Sequence, residues 1–264
     1  MLQAVIFDVD GTLAETERDG HLVAFNQAFS SMNLPYQWDE TLYHRLLWVA
    51  GGKERLRHYF THYHTTDLTA SELEQLISEL HQRKNRFFRN IIARGEIPPR
   101  PGIVRLFDDL DDAGIQVAIA TTGSREWVTP LLQTLLGEHR IQRLQAIITG
   151  NDVQQKKPDP EAYQLALRQL QLKPEEAMAV EDTQNGLEAA KNANLPCLVV
   201  RSFFSKDHDF QEADLVVDEL GDPGTCCHYL WNPYSIQVKD LVDAETLQRL
   251  HDAWLERHKK KSSP

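Results

Sequence analysis

Short apolar runs recur along the chain and are separated, in its later part, by amphipathic stretches. These runs show little polar alternation, which is typical of strands buried on both faces. They cover residues 4–7, 116–120, 146–149, 177–180 and 197–200, with 215–217 as a possible sixth. The stretch "PDPEAYQLALRQLQL" instead places apolar residues three and four apart, as a helix would. Alternating strands and helices predict an α/β fold with a Rossmann-like parallel sheet covered by helices.

The spacing between the first two runs is far too long for an ordinary crossover. Residues 8–115 separate them, and residues 16–97 carry helical periodicity without a convincing strand. We therefore predict a helical domain at 16–97, inserted into an α/β core formed by 1–15 and 98–264. A C-terminal extension starts at about residue 222, and its stretch "DAETLQRLHDAWLERHKKK" predicts an amphipathic helix capped by Asp243.

The composition and charge of the chain limit the classes of molecule that it is expected to bind. The chain has 264 residues and a net charge of −11, which disfavours nucleic acid and anionic membranes but leaves room for a small phosphorylated ligand. No apolar run is long enough to span a membrane, and Asp8 interrupts the N-terminal run, so a signal peptide is not expected. Three cysteines favour reduced thiols and a cytoplasmic location. We expect a monomer or weak oligomer.

The first apolar run ends in two acidic residues, Asp8 and Asp10, within "VIFDVDGTLAETE". A free aspartate has a pKa of about 3.9, so both carboxylates are normally charged and something must compensate them. Mg²⁺ is a natural partner, and one carboxylate could then act as a nucleophile and the other as a general acid/base. On these residues alone, a simple strand-ending turn remains an alternative.

Three later stretches add candidate phosphate and metal ligands. "AIATTGS" ends a predicted strand in hydroxyls, with Thr122 and Ser124 able to bind phosphate oxygens; "QKKPDPEAY" supplies Lys157; and "MAVEDTQNG" ends another strand in Glu181 and Asp182. Each alone could be a helix cap, a surface charge or a turn. The carboxyl ends of parallel strands lie at one edge of a sheet, so together they predict a phosphate site there.

The order of these motifs resembles the haloacid dehalogenase superfamily of aspartyl-phosphate phosphotransferases. The resemblance covers residues 1–220, and the insert is similar to the C1 cap of the β-phosphoglucomutase-like branch. It implies that Asp8 is the nucleophile, forming an aspartyl-phosphate, and that Asp10 protonates the leaving oxygen and then activates water. The implied Mg²⁺ ligands are Asp8, the Asp10 backbone carbonyl and Asp182, with Glu181 supporting. The implied phosphoryl-binding residues are Thr122 and Lys157, beside Thr121, Gly123 and Ser124.

A narrower resemblance rests on "DVDGTLAETE", "AFNQAF", "GGKER", "HQRK" and "VEDTQNGL". These stretches are similar to the CbbY-type sugar-bisphosphate phosphatases, which remove the C1 phosphate of xylulose 1,5-bisphosphate, an inhibitory by-product of Rubisco. The substrate contacts that this resemblance implies are Glu17, His21, Gly51, Gly52, Lys53, Glu54, Arg55, His81 and Lys84. One departure is that "ETERDGHL" holds one more residue before His21 than the family pattern, and includes Gly20.

The sequence therefore predicts a Mg²⁺-dependent phosphatase of sugar phosphates, and two alternatives remain. A β-phosphoglucomutase-like mutase would use the same two aspartates, but Thr12 resembles the phosphatases. A catalytically silent sugar-phosphate-binding protein would not need the complete motif set that the chain retains. A dehalogenase fits less well, because it needs neither Asp10 nor a metal-binding Asp182.

Overall fold

The computed structural model describes residues 1–49, 51–64, 66–237 and 239–261. The run of three lysines at 259–261 predicts a solvated tail, and the side chains of Lys260 and Lys261 lie outside the described ones. Contacts divide the chain into two compact units. The α/β unit comprises Met1–Glu15 and Pro98–Pro264, and the helical unit comprises Thr16–Ile97. The chain crosses from one unit to the other twice, once after Glu15 and once before Pro98.

A seven-stranded sheet forms the centre of the α/β unit. Its strands are β1 (Ala4–Phe7), β2 (Gln116–Ala120), β3 (Leu144–Ile148), β4 (Ala177–Glu181), β5 (Cys197–Val200), β6 (Leu215–Val217) and β7 (Tyr229–Trp231). The spatial order is β3-β2-β1-β4-β5-β6-β7, and every pair is parallel except β6–β7. All four residues of β1 are fully buried, as the continuous apolar run predicts.

The register of the three central strands places their carboxyl ends side by side. Phe7 of β1 pairs with Ile119 of β2 on one side and with Val180 of β4 on the other. The residues that follow these positions, including Asp8 and Glu181, therefore emerge at the same edge of the sheet. The parallel α/β fold predicted from the apolar runs is confirmed, and so is the gathering of motif residues at one edge.

Helices cover the sheet and fill the helical unit. Within the described residues they are α1 (Val23–Ser31), α2 (Glu40–Leu46), α3 (Gly52–His62), α4 (Ala70–Ala93), α5 (Ile103–Asp112), α6 (Arg125–Ile141), α7 (Glu161–Leu170), α8 (Gln184–Asn192) and α9 (Ala244–Lys261). Shorter helical turns occur at Thr16–Leu22, which is a π-helix, and at Pro174–Glu176, which is a 3₁₀ helix. None of the helices in the described part of the chain combines the length and apolar character needed to cross a bilayer.

The helical unit has an aromatic core of its own. Trp38 lies between Phe25, Phe29 and Tyr59, with ring centroids 4.7, 5.2 and 5.2 Å away. Asn26 fixes the loop before α2, because its side chain donates to the Trp38 carbonyl and accepts from the Trp38 amide, both at 2.8 Å. The unit can therefore bury its apolar side chains within residues 16–97.

The strands at the two edges of the sheet differ most from the sequence prediction. β3 begins at Leu144 rather than at residue 146, because this edge strand is only half-buried and Gln145 is exposed within it. The apolar run alone does not reveal so polar a start. β7 is a further strand that the sequence reading missed; it is three residues long, lies at the opposite edge and exposes Leu230 and Trp231.

The C-terminal helix α9 packs on the α/β unit as its amphipathic pattern predicts. Asp243 caps it by accepting a 2.7 Å hydrogen bond from the Thr246 amide, and Leu247 and Leu250 are fully buried. His251 is buried beside them; its Nε2 lies 3.0 Å from the Glu175 carbonyl, while its Nδ1 has no partner among the described residues. Burial lowers the pKa of His251.

Because burial lowers the pKa of His251, the free energy of unfolding should depend on pH. Because the folded-state pKa lies below the unfolded value of about 6.5, the contribution of neutral His251 is present above that value and is lost as the pH falls below it. We expect the free energy of unfolding in urea to drop more between pH 7.5 and 5.5 in the wild type than in His251→Gln, which keeps a donor for Glu175. The exposed His139→Gln is the control, and equal drops in all three proteins would contradict the role of His251.

Candidate active site

Asp8 is held at the carboxyl end of β1 by both its backbone and its side chain. Its amide donates to the Val180 carbonyl at 3.0 Å, which ties it to β4. Its carboxylate Oδ1 accepts a 2.6 Å hydrogen bond from Lys157 Nζ. The residue is buried, so its carboxylate has a fixed orientation and little contact with water.

Lys157 joins the ends of all three central strands. Its ammonium donates to Asp8 Oδ1 at 2.6 Å, to Glu181 Oε1 at 2.5 Å and to the Ala120 carbonyl at 2.7 Å. An ammonium has three donors, and all three are used. Burial alone would lower the pKa of Lys157, but the charges of Asp8 and Glu181 outweigh it and raise that pKa. Lys157 is therefore a permanent positive charge at this site.

Three buried acidic side chains lie close together at this site. Oxygen atoms of Asp8, Glu181 and Asp182 lie within 4.8 Å of one another. Burial, with the negative charge of Glu181 and Asp10, raises the pKa of Asp8 to about 8 despite Lys157. Burial and the charges of Asp8 and Glu181 likewise raise the pKa of Asp182 well above its usual range. A hard divalent cation such as Mg²⁺ fits this excess of carboxylate oxygens.

Gly11 lets the turn after β1 approach the acidic cluster. Its φ is +76°, and a Cβ built on it would lie 2.1 Å from Asp182 Oδ2, so a side chain is excluded both by conformation and by space. The next residue, Thr12, is buried and its Oγ1 lies 3.4 Å from Asp182 Oδ1. The segment "DGT" therefore places the Gly11 backbone and the Thr12 hydroxyl next to the Asp182 carboxylate.

The remaining predicted residues of this site flank the cluster. Asp10 is half-buried on the turn after β1, and its charge acts on Asp8. Thr121 directly follows β2, and its hydroxyl accepts from the Gly123 amide at 3.1 Å, which folds the loop carrying Thr122 and Ser124. The structure therefore gathers the strand-end motifs as the sequence predicts. Whether each residue has its predicted role stays a prediction.

Two buried residues of this site were missed by the sequence reading. Tyr163 of α7 donates its hydroxyl to Glu181 Oε1 at 2.5 Å, and Lys157 Nζ lies 4.9 Å from the centroid of its ring. Arg100 donates to the carbonyls of Gly11, Val200, Arg201 and Asp218, and pairs with Glu15 at 3.6 Å. In the sequence, Tyr163 occupies an ordinary apolar position of the predicted helix after "PDPEA". Arg100 is a lone charge between two prolines, and that signal could have been noticed.

In the helical unit, the side chains of Arg55 and Glu17 both form a hydrogen bond with the Tyr43 hydroxyl. The Tyr43 hydroxyl donates to Glu17 Oε2 at 2.5 Å and accepts from an Arg55 guanidinium nitrogen at 2.8 Å, while Arg55 and Glu17 themselves are 3.6 Å apart. The guanidinium is buried, and its Nε has no hydrogen-bond partner within the residues that the structure describes. Tyr43 is a further residue that the sequence reading missed.

A second polar group of the helical unit centres on His21. Lys84 Nζ lies 2.8 Å from His21 Nδ1, and the His21 ring lies 3.9 Å from the ring of Phe88. Burial and the nearby positive charges of Lys84, Arg55 and His81 lower the pKa of His21 well below its usual value. His21, Arg55, Lys84 and His81 therefore form one basic cluster.

The glycine pair at the start of α3 shapes the edge of this cluster. Gly51 caps α3 with a φ of +93°, and a Cβ on it would meet Glu54 Oε2 at 2.3 Å. A Cβ on Gly52 would lie 3.0 Å from the His81 ring. Lys53 is exposed, and its charge still contributes to lowering the pKa of His81, after burial and Lys84. All nine residues implied as substrate contacts lie in the helical unit, and two pairs of them, Glu17 with Arg55 and His21 with Lys84, are in direct contact.

Comparison with known proteins agrees with this arrangement. The profile of the haloacid dehalogenase-like hydrolases matches residues 2–194. Protein CbbY of Cupriavidus necator is 42% identical over 222 residues, which cover 84% of this chain and 87% of the relative. The crystal structure of CbbY from Rhodobacter sphaeroides with phosphate has a TM-score of 0.70 and 39% identity, covering 85% of this chain and 97% of that one.

A second crystal structure of the Rhodobacter sphaeroides protein is an aspartate-to-asparagine variant in complex with xylulose-(1,5)bisphosphate. It has a TM-score of 0.70 and 40% identity, and the match covers 83% of this chain and 95% of that one. The resemblance that the sequence motifs indicated is confirmed by these matches. With its parallel sheet, its strand-end motifs and a family profile that spans most of its length, the chain belongs to the haloacid dehalogenase-like hydrolases.

Proposed function

We propose that this protein is a Mg²⁺-dependent phosphatase that removes the C1 phosphate of xylulose 1,5-bisphosphate or a similar sugar bisphosphate. The observation that carries the proposal is the buried Asp8–Lys157 pair beside Asp182. It combines a nucleophile, a fixed cation and a carboxylate pocket for a metal ion, all of which phosphoryl transfer needs. The similarity to a CbbY protein seen with xylulose-(1,5)bisphosphate supports the substrate.

In the first step, an Asp8 oxygen attacks phosphorus and the bond from phosphorus to the sugar oxygen breaks. Asp10 gives a proton to the departing sugar oxygen, which leaves as a hydroxyl. The product on the protein is an aspartyl-phosphate at Asp8. Lys157 supports the step because it fixes the Asp8 carboxylate and places positive charge beside the transferring group.

In the second step, a water oxygen attacks phosphorus and the bond between phosphorus and the Asp8 oxygen breaks. Asp10, now deprotonated, takes a proton from this water, so phosphate is released and both aspartates return to their starting state. Backbone amides and hydroxyls of Thr121–Ser124 bind phosphoryl oxygens throughout. Asp8, the Asp10 carbonyl and Asp182, with Glu181 supporting, would hold Mg²⁺, whose charge offsets that of the phosphoryl oxygens.

We further propose that the basic cluster of the helical unit recognises the rest of the substrate. A sugar bisphosphate carries a second phosphate, and Arg55 is buried with a guanidinium nitrogen still able to donate. A guanidinium matches phosphate oxygens in both charge and geometry. Lys84 and His21 add further donors beside it, which favours a bisphosphate over a simple monophosphate.

The first prediction concerns the reaction. With Mg²⁺, we expect phosphate release to be fastest from xylulose 1,5-bisphosphate, when compared with ribulose 1,5-bisphosphate, β-glucose 1-phosphate and simple monophosphates. Asp8→Asn removes the nucleophile, and its rate should fall by roughly 10⁴-fold or more. Free phosphate is the quantity to measure, and the exposed Asp207→Asn serves as the control.

The other outcomes of this assay are informative. Activity spread evenly over monophosphates would retain the mechanism and reject the bisphosphate substrate. Rearranged sugar phosphate without free phosphate would indicate a mutase. No turnover of any substrate by the wild type would favour a silent binding protein.

The second prediction concerns the metal. Without Mg²⁺, Asp182→Asn should melt at the same temperature as the wild type or higher, because it relieves the repulsion with Asp8 and Glu181. With saturating Mg²⁺ the order should reverse, since binding to the folded state stabilises only a protein that retains the ligand. Thermal melting with and without Mg²⁺ tests this directly, and an equal Mg²⁺-dependent shift in both proteins would refute Asp182 as a ligand.

The third prediction concerns the second phosphate. Arg55→Met should lower kcat/KM for the bisphosphate by about 10- to 100-fold, the value of one or two charge-assisted hydrogen bonds. The loss should be much smaller for p-nitrophenyl phosphate, which carries no second phosphate. Arg57→Met is a matched control on the same helix, since the Arg57 side chain is much less buried than that of Arg55 and pairs with Glu74 at 2.6 Å. Equal losses on both substrates would count against the assignment.

A further inference from the structure

Arg100 is a buried charge that takes no part in the two steps of the proposed reaction. Only 8% of its surface is exposed, and an arginine is rarely buried so fully without partners. It lies between Pro99 and Pro101, and a following proline restricts the backbone of the residue before it. Gly102 comes next, at a φ of +82°, and its amide donates to Asp222 at 2.8 Å. The backbone that carries Arg100 therefore has little freedom.

The guanidinium of Arg100 binds carbonyls from two separate parts of the sheet edge. One terminal nitrogen donates to the carbonyls of Gly11 and Val200, and the other donates to those of Arg201 and Asp218 at 2.9 and 2.8 Å. Three of these acceptors lie at the ends of β5 and β6, whereas Gly11 lies in the turn after β1. Because β4 separates β1 from β5, Arg100 connects that turn to strands with which β1 does not pair.

Glu15 balances the charge of this buried guanidinium. Its Oε1 lies 3.6 Å from Nε of Arg100, and the same oxygen accepts a 3.0 Å hydrogen bond from the Phe203 amide. A guanidinium has five N–H groups in a planar fork. Four of them belong to the nitrogens that bind carbonyls, and the fifth to the nitrogen nearest Glu15. A lysine offers at most three donors from a single point, so it could not reproduce this arrangement.

Arg100 also holds the turn after β1 through its backbone. Inside the turn, the Gly11 amide donates to the Ala14 carbonyl at 2.8 Å. From outside, the Arg100 amide donates to the Leu13 carbonyl at 2.8 Å, while its guanidinium donates to the Gly11 carbonyl. Asp10 directly precedes Gly11, so Arg100 binds the chain one residue away from the proposed general acid/base.

We propose that Arg100 is a positioning residue for Asp10. It fastens the turn on which Asp10 lies to the ends of β5 and β6, and so restricts where the Asp10 carboxylate can be. A general acid must lie within hydrogen-bond reach of the oxygen that it protonates, and a displacement of about 1 Å can cost roughly 100-fold in rate. The acid role of Asp10 rests on the proposed function, whereas the fixing of the turn by Arg100 does not.

Two aryl phosphates separate the proton transfer from the rest of the reaction. Phenyl phosphate releases an oxygen with a pKa of about 10, which benefits from an acid, whereas the p-nitrophenyl oxygen is less basic and leaves with little help. Neither compound carries a second phosphate, so the basic cluster should affect both alike. The quantity to measure is the ratio of kcat/KM for phenyl phosphate to that for p-nitrophenyl phosphate, since kcat/KM covers the steps up to release of the phenol.

Arg100→Lys retains the positive charge and loses the fork of donors. We expect the ratio to fall about 10-fold in Arg100→Lys and at least as much in Arg100→Met. Arg105→Lys is the matched control, because Arg105 also donates to backbone carbonyls, those of Leu220, Gly221 and Val242, which lie outside the turn after β1. Its ratio should equal that of the wild type. An unchanged ratio in both Arg100 variants would overturn the proposal.

A double substitution tests whether the effect acts through Asp10. In Asp10→Asn the acid is already absent, so the addition of Arg100→Lys should leave the ratio at the value of Asp10→Asn alone. A further fall of the same size as in the wild-type background would show that Arg100 acts on another group, and would reject the positioning of Asp10.

Hydrogen exchange of the substrate-free protein tests the turn without any activity. The Gly11 and Leu13 amides, both hydrogen-bonded inside the turn, should exchange slowly in the wild type and in Arg105→Lys, and about 10-fold faster in Arg100→Lys. Fast exchange of both amides in the wild type would refute the proposal even if neither Arg100 variant folds. If the wild type releases no phosphate from any substrate, the proposed function fails, while the exchange rates still decide whether Arg100 fixes the turn.

Discussion

One buried ammonium, that of Lys157, makes it possible for acidic side chains to cluster at the end of this sheet. Removing a charge from water costs several kcal/mol unless hydrogen bonds replace the lost hydration, and each of the three donors of Lys157 has an acceptor. Those acceptors follow or end three neighbouring strands. The register of β1 with β2 and β4 is therefore as necessary to the site as the identity of the lysine.

Lys157 offsets only part of the negative charge at this site. Asp8 and Glu181 both accept hydrogen bonds from its ammonium, and the Asp182 carboxylate lies close to both of them. Arg100 partly offsets Asp182 through its charge, although its hydrogen bonds go to the carbonyl of Gly11, in the turn after β1, and to carbonyls at the ends of β5 and β6. Tyr163 and Lys157 donate to the same Glu181 oxygen, which therefore accepts two hydrogen bonds. The three buried carboxylates therefore keep an excess of negative charge, which suits the binding of a divalent cation.

Most of the fold and the centre of the site could be predicted from the sequence, for identifiable reasons. β1, β2 and β4 are buried on both faces, so each forms an uninterrupted apolar run, and their ends carry the motif residues. β7 and the start of β3 were not predictable in this way, because edge strands do not need an apolar run. Tyr163 and Tyr43 were missed because only the folded chain shows which residues their hydroxyls contact, whereas Arg100, between two prolines, was a signal that could have been noticed. The oligomeric state and the cytoplasmic location stay predictions.

The position of β1 has a consequence for the newly made chain. It precedes the other described strands along the chain, yet it lies in the middle of the sheet; its neighbour β2 is complete at Ala120 and its neighbour β4 only at Glu181. At about 5 to 20 residues per second, the edge of β1 that pairs with β2 waits unpaired for roughly 6 to 23 s and the edge that pairs with β4 for roughly 9 to 35 s, while the helical unit can already become compact. Unpaired apolar strands readily associate with other chains. The strand that positions the Asp8 carboxylate therefore also needs protection from aggregation during translation.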